Sequence, residues 1–306
     1  MAEATPAQRR TMRSGTSELV RQRHYMGILF ALPALLLVLA VTAVPLAQAA
    51  FYSFTDWNGA TAHWTGLRNY RSIFVDPELR QALINSGLIL LSIPFGMVPS
   101  FITAYLLSRG VPASGLLRTL IFAPTALSWV VIGVVARQVF SSQGVLNDGL
   151  TAIGLDAVTL NWLAKPSTAM IAVLLTFNAA VFGLNTVVFL TALSTVDRST
   201  IEAARIDGAS ETRILIEIIL PATRRFVEFV FIITMVASFT GIFGLIFVMT
   251  GGGPGSSTLT LEFAVWRRAL STGAFGPGSA IGISLMLLIL IVIGLVRRFS
   301  RTGNAT

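Results

Sequence analysis

The chain has 306 residues, of which 54% are hydrophobic and only 12% charged, with a mean hydropathy of +0.76. That profile excludes a soluble domain built on one core and describes an all-α, polytopic protein of the lipid bilayer. Cysteine is absent, so disulfides, thiolate metal ligands and thiol nucleophiles are excluded. The net charge of +8 lies between apolar runs rather than along one stripe, so it reports membrane topology and not nucleic-acid binding.

In chain order, residues 1–24 are polar and basic (Arg9, Arg10, Arg13, Arg21, Arg23) and form a cytoplasmic tail. Six apolar runs follow at Met26–Phe51, Ala82–Leu107, Leu116–Val139, Thr168–Leu193, Phe226–Met249 and Gly278–Val296. Each is long enough to cross the roughly 30 Å hydrocarbon core as a helix. The first carries Ala47-Gln48-Ala49, which imitates a signal cleavage site, but its apolar stretch is too long for a signal peptide. Residues 25–299 therefore read as one six-helix domain, and 300–306 as a short cytoplasmic tail. Pro33, Pro45, Pro94, Pro99 and Pro124 fall inside spans, where they should kink the helices.

Lys and Arg set the orientation. With the N-terminus inside, 15 lie in cytoplasmic segments and 7 outside, which places both termini and the 194–225 loop in the cytoplasm. Four of five tryptophans (Trp57, Trp64, Trp162, Trp266) fall in the outer loops, as an interfacial aromatic belt or a contact surface. The spans themselves are almost free of charge, unlike those of ion-coupled transporters. The only lysine, Lys165, stands between Ala164 and Pro166, so no phosphate-binding loop exists here. No His/Cys/acid constellation marks catalysis or a metal, and an enzyme is the weakest reading.

The 194–225 loop is polar but charge-balanced, which suits contact with protein better than with nucleic acid or lipid. Ser199 with Glu202 reads as a capping box opening a helix, and Gly208 as its left-handed stop. Ser210 can cap a second helix, with Ile214, Leu215 and Ile218 on one face until Pro221 ends it.

Glu202-Ala203-Ala204, three residues, Gly208, nine residues, then Ile218, Leu220 and Pro221 closely resemble the EAA loop of binding-protein-dependent ABC importer permeases. Thr250-Gly251-Gly252-Gly253-Pro254, Phe275-Gly276 with Ser279-Ala280, and the first outer loop (Phe74 to Asp76-Pro77, Gln81 to Asn85) are similar to the sugar-importer, maltose-type members. One departure is Val196-Asp197, where the family usually has isoleucine-proline.

The resemblance implies a type I importer permease fold and a subunit moving a sugar or polyol into the cytoplasm. Its implied partners are a second permease, two ATPase subunits that carry ATP and Mg, and an external solute-binding protein. It also implies a bacterial inner-membrane location and no cofactor or catalysis in this chain. The ATPase-coupling residues are then Glu202, Ala203, Ala204, Asp207, Gly208, Ile218, Leu220 and Pro221. The solute pathway falls on the fourth and fifth spans, where Asn178, Phe182, Asn185, Ser238, Phe239 and Thr240 are the polar and aromatic candidates. Asn178, Phe182 and Asn185 share one helical face, although such residues also serve as glue between helices. The alternative is a stand-alone secondary transporter or channel.

Overall fold

The protein is described here by a computed structural model covering residue 26 and residues 30–302. The expected tail 1–24 lies outside the described residues, as do residues 303–306. Among the described residues there is no strand, only an isolated bridge between Thr55 and Trp64. The chain divides into two compact units, with α1 (Phe30–Tyr52) in the first and Ser53–Thr306 forming the second.

Among the described residues four helices are long and apolar enough to cross a membrane: α1, α3 (Pro77–Ser108), α7 (Pro166–Ser194) and the Phe275–Arg298 part of α13 (Phe275–Thr302). Two bent pairs bring the number to six if each pair is one span. The first pair is α4 (Ser114–Phe122), prolonged by a 3-10 turn to Ala126, and α5 (Trp129–Val139), which turns away by 102°. The second is α10 (Arg224–Thr240) and α11 (Phe243–Met249), bent by 51°. Between the spans lie the short helices α2 (Arg68–Val75), α6 (Val145–Ala152), α8 (Arg198–Ile206), α9 (Glu211–Ile214) and α12 (Leu261–Trp266).

The prolines do not act alike. Pro94 and Pro99 lie within the continuous helix α3. Pro124 sits in the 3-10 turn where the third span breaks, and Ser128 restarts the helix by accepting the Val131 N–H at 3.3 Å. The third expected span is therefore a broken one, because a backbone lacking one N–H is followed by a new N-cap.

α3 and α7 form the central pair of the second unit, with α10 packed on both. Ile89, Ile93, Val173, Phe177 and Phe189 are fully or almost fully buried. Trp129 of α5 stacks on Phe177, with ring centroids 5.8 Å apart. Many Leu, Val and Phe side chains remain exposed, Phe95 at 81% among them, as expected of helices whose solvent is hydrocarbon.

The outer loops are fastened by side chains. Asn85 of α3 donates to the Ser256 and Leu259 carbonyls at 2.9 and 2.8 Å, and the Ser86 hydroxyl accepts the Leu261 N–H at 3.0 Å. Arg267 pairs with Glu78, and Arg268 with Asp76 at 2.6 Å, tying the loop after α12 to the start of α3. Gly276 donates its N–H to the Trp57 carbonyl at 2.8 Å. A Cβ there would stand 2.2 Å from the Thr55 oxygen, so the Phe275-Gly276 pair needs its glycine for close approach. Of the four outer tryptophans, Trp57 packs on Phe275, Trp162 bonds Asn147, Trp266 joins an aromatic cluster and Trp64 stacks on Phe54.

Candidate functional site

The polar loop between α7 and α10 folds as two short helices around a tight turn. α7 stops at Ser194, and Asp197 caps α8 by accepting the Ser199 N–H at 3.0 Å. The Ser199 hydroxyl donates to the same carboxylate at 2.7 Å, and these bonds hold the Asp197 carboxyl below its usual range. The cap is thus Asp197 rather than Ser199. Its carboxylate reaches the free N–H two residues on, and Ser199 lies inside the first turn. Asp197 has φ −66° and ψ 122°, a conformation open to proline, so replacing the family's proline leaves the path into the helix unchanged.

At the other end of α8, Ala209 donates to the Ala204 carbonyl at 2.9 Å and Gly208 to the Arg205 carbonyl at 3.1 Å. With Gly208 at φ +79°, this is the paired-bond termination that a left-handed residue permits. Ser210 then caps α9, accepting the Arg213 N–H at 3.3 Å, as its sequence position indicates.

Pro221 does not end the second helix. The chain widens into a π-turn over Leu215–Ile219, passes through Leu220–Ala222, and breaks at Thr223. Widening makes room for a ring that would otherwise crowd the carbonyl four residues back. Ile214 and Ile219 are buried and Ile218 half-buried, while Leu220 and Pro221 stay exposed.

Glu211 holds the loop to the bundle. Its Oε2 accepts the Tyr105 hydroxyl at 2.6 Å, and its Oε1 accepts Arg109 at 3.0 Å and Arg205 at 3.2 Å. The Tyr105 bond is the main reason its carboxyl lies below the usual range. Sequence reasoning missed this knot because its partners at the end of α3 are more than a hundred residues away. Beside it opens a cavity of about 780 Å³ lined by Arg109, Arg118, Arg198, Glu202 and Arg205.

The exposed face of α8 carries Glu202, Ala203 and Asp207, with Gly208 in the turn and Ala204 half-buried beneath. Ile206, an apolar side chain 86% exposed, stands at the end of the same helix. A small residue thus stands beside a bare apolar one on a helix anchored from below.

The candidate pathway residues are dispersed. Asn178 donates to Ser92 of α3 at 3.0 Å and to the Leu174 carbonyl at 2.8 Å, and its Oδ1 is buried against Gly96 without a partner. Asn185, 1% exposed, accepts the Thr234 hydroxyl of α10 at 3.0 Å. Ser238 and Phe239 are buried, Phe182 is half-buried and Thr240 is exposed. One face of α7 therefore clasps two different helices.

Residues 92–302 match the family described as binding-protein-dependent transport system inner membrane component. The chain belongs to that family. It is a multi-pass component of the inner membrane with the fold of an importer permease. The probable ABC transporter permease protein YurN of Bacillus subtilis is 30% identical over 292 residues, covering 94% of this chain and 99% of that one. The multiple sugar-binding transport system permease protein MsmF of Streptococcus mutans is 29% identical, covering 90% and 96%. In structure, the permease resembles a chain of a bacterial alginate ABC transporter solved with an alginate pentasaccharide-bound periplasmic protein. The TM-score is 0.79 at 19% identity, over 93% of this chain and 97% of that one.

Proposed function

We propose that this protein is a permease subunit of an ATP-driven importer that carries a sugar or related polyol into the cytoplasm. The observation that carries the coupling is the surface of α8, where Ala203 and Ile206 are presented on a helix fixed at both ends and knotted to α3 through Glu211. Such a lever transmits motion because its base cannot move independently of the bundle. The sugar class rests on the named substrates of relatives such as MsmF.

The partners are a second, similar permease, two copies of an ATPase that binds ATP and Mg, and an external solute-binding protein. Closure of the ATPase pair pushes α8, the bundle rocks from inward-facing to outward-facing, and the binding protein releases solute into the opened path. Hydrolysis resets the inward state. Within the membrane we place Asn178, Phe182 and Thr240 on the solute path. Amide and hydroxyl groups bond sugar hydroxyls, and an aromatic face stacks on sugar C–H groups. Asn185, Ser238 and Phe239 support them from the packed interior.

The test is to purify the intact complex and identify which solute its binding protein retains. The account expects a sugar or polyol, uptake of it driven by ATP, and no ATP hydrolysis by the isolated permease. Hydrolysis by this chain alone, or uptake that needs no ATPase, would contradict it.

A further inference from the structure

The fifth span is broken between α10 and α11, and the free N–H groups at that break need acceptors. One comes from outside the span. Glu262, on the outer-loop helix α12, accepts the Phe243 N–H at 2.9 Å through Oε2, and the Ile242 N–H also acts on it. Around this contact Phe243, Phe247, Phe263 and Trp266 form one aromatic cluster, with ring centroids 5.3 to 6.2 Å apart. α12 also packs on α13 and α3. The carboxyl thus clips the outer loop to the start of α11.

We propose that Glu262 is a positioning residue for transport: its buried carboxyl clips the outer loop to the break in the fifth span while it holds its proton, and ionisation loosens the clip. This rests on the reading of the chain as an importer permease. An ionised acceptor makes the stronger bond to a backbone N–H, but among these rings and with no cation paired to it the charged form loses more by desolvation than the two bonds return. Burial pushes the Glu262 carboxyl up to about 7, against the two backbone N–H groups that pull it down. The clipped carboxyl therefore holds its proton more tightly than a released, solvated one would, so the clip is favoured at low pH and weakens as the pH rises through about 7.

Neighbouring charges leave Glu262 without an ionic partner among the described residues. Arg267 and Arg268, which follow α12, pair with Glu78 and Asp76 at the start of α3. Arg80 is the other charge near that end of α3, and Arg137 of α5 reaches the Val248 carbonyl at 3.5 Å. α11 has no charged residue, α13 has none before Arg297, and the charges of α10 lie in its first turns at Arg224, Arg225 and Glu228.

The experiment has two arms. Hydrogen exchange of the 240–246 segment is followed on the purified chain in lipid nanodiscs at pH 8 and pH 6, corrected for intrinsic rates. Protection of the Ile242 and Phe243 amides should fall about tenfold from pH 6 to pH 8 in the wild type and stay level in Glu262→Gln. In the reconstituted complex, ATP hydrolysis stimulated by the binding protein should show an inflection near pH 7 that Glu262→Gln lacks. An unchanged wild-type protection, or the same inflection in the variant, overturns the proposal. Should Glu262→Gln fail to assemble, the wild-type amides alone decide it. A working amide switch in a chain that recruits no ATPase overturns the importer reading and leaves the clip standing.

Discussion

Gly208 ends the loop helix at φ +79°, and no atom stands within 4 Å of the place a Cβ would take. Substitution there costs backbone strain alone, about 1–2 kcal/mol for Gly208→Val. That variant should reach the membrane at normal levels yet lose the ATPase on co-purification. Normal levels with the ATPase retained would show that the turn does not matter. Glu211 works through charge. Its lowered pKa means that the knot is fully present above the usual carboxylate range and is lost only as pH falls through the lowered value. Glu211→Gln should therefore lower the melting temperature at pH 7, and the difference should shrink below about pH 4. Gly208 was legible from the sequence because a lone glycine after a helical run has one physical use. Glu211 was not, because Tyr105 and Arg109 lie far away in the chain.

At the scale of elements, the spans were legible where apolar length decides, and their breaks were not. Pro124 and Pro94 look alike in sequence, but only Pro124 is followed by a capping Ser128. The break between α10 and α11 was hidden, since its acceptor Glu262 belongs to another element. Asn178 and Asn185 share a helical stripe yet bond α3 and α10 respectively, which one-dimensional spacing cannot reveal. The α7–α10 clasp gives a sharp expectation. Thr234→Val leaves the buried Asn185 Oδ1 without a partner and should cost about 1–3 kcal/mol, whereas pairing it with Asn185→Leu should recover most of that. Thermal unfolding of both variants checks it. A double variant that is stable but cannot transport would make Asn185 a solute contact as well as a clasp.

At the scale of the molecule, the central claim is that α8 is the lever through which a separate ATPase moves this bundle. From the charge asymmetry we expect that helix and both termini to face the cytoplasm. A reporter fused after Thr306 and active only outside the cytoplasm should stay silent, and activity there would invert the topology. The most direct measurement uses the absence of cysteine. Ala203→Cys creates the only thiol in the chain, on the exposed face of α8, and Ser271→Cys places an exposed one on the opposite loops as a control. In membranes holding the whole complex, a short bifunctional reagent should join Ala203→Cys to the ATPase subunit, with a yield that changes when ATP is bound. The Ser271→Cys control should react with a small thiol probe but give no such product. If Ala203→Cys reacts with a small thiol probe but never joins the ATPase, α8 is only a connector between spans, and the coupling account is wrong.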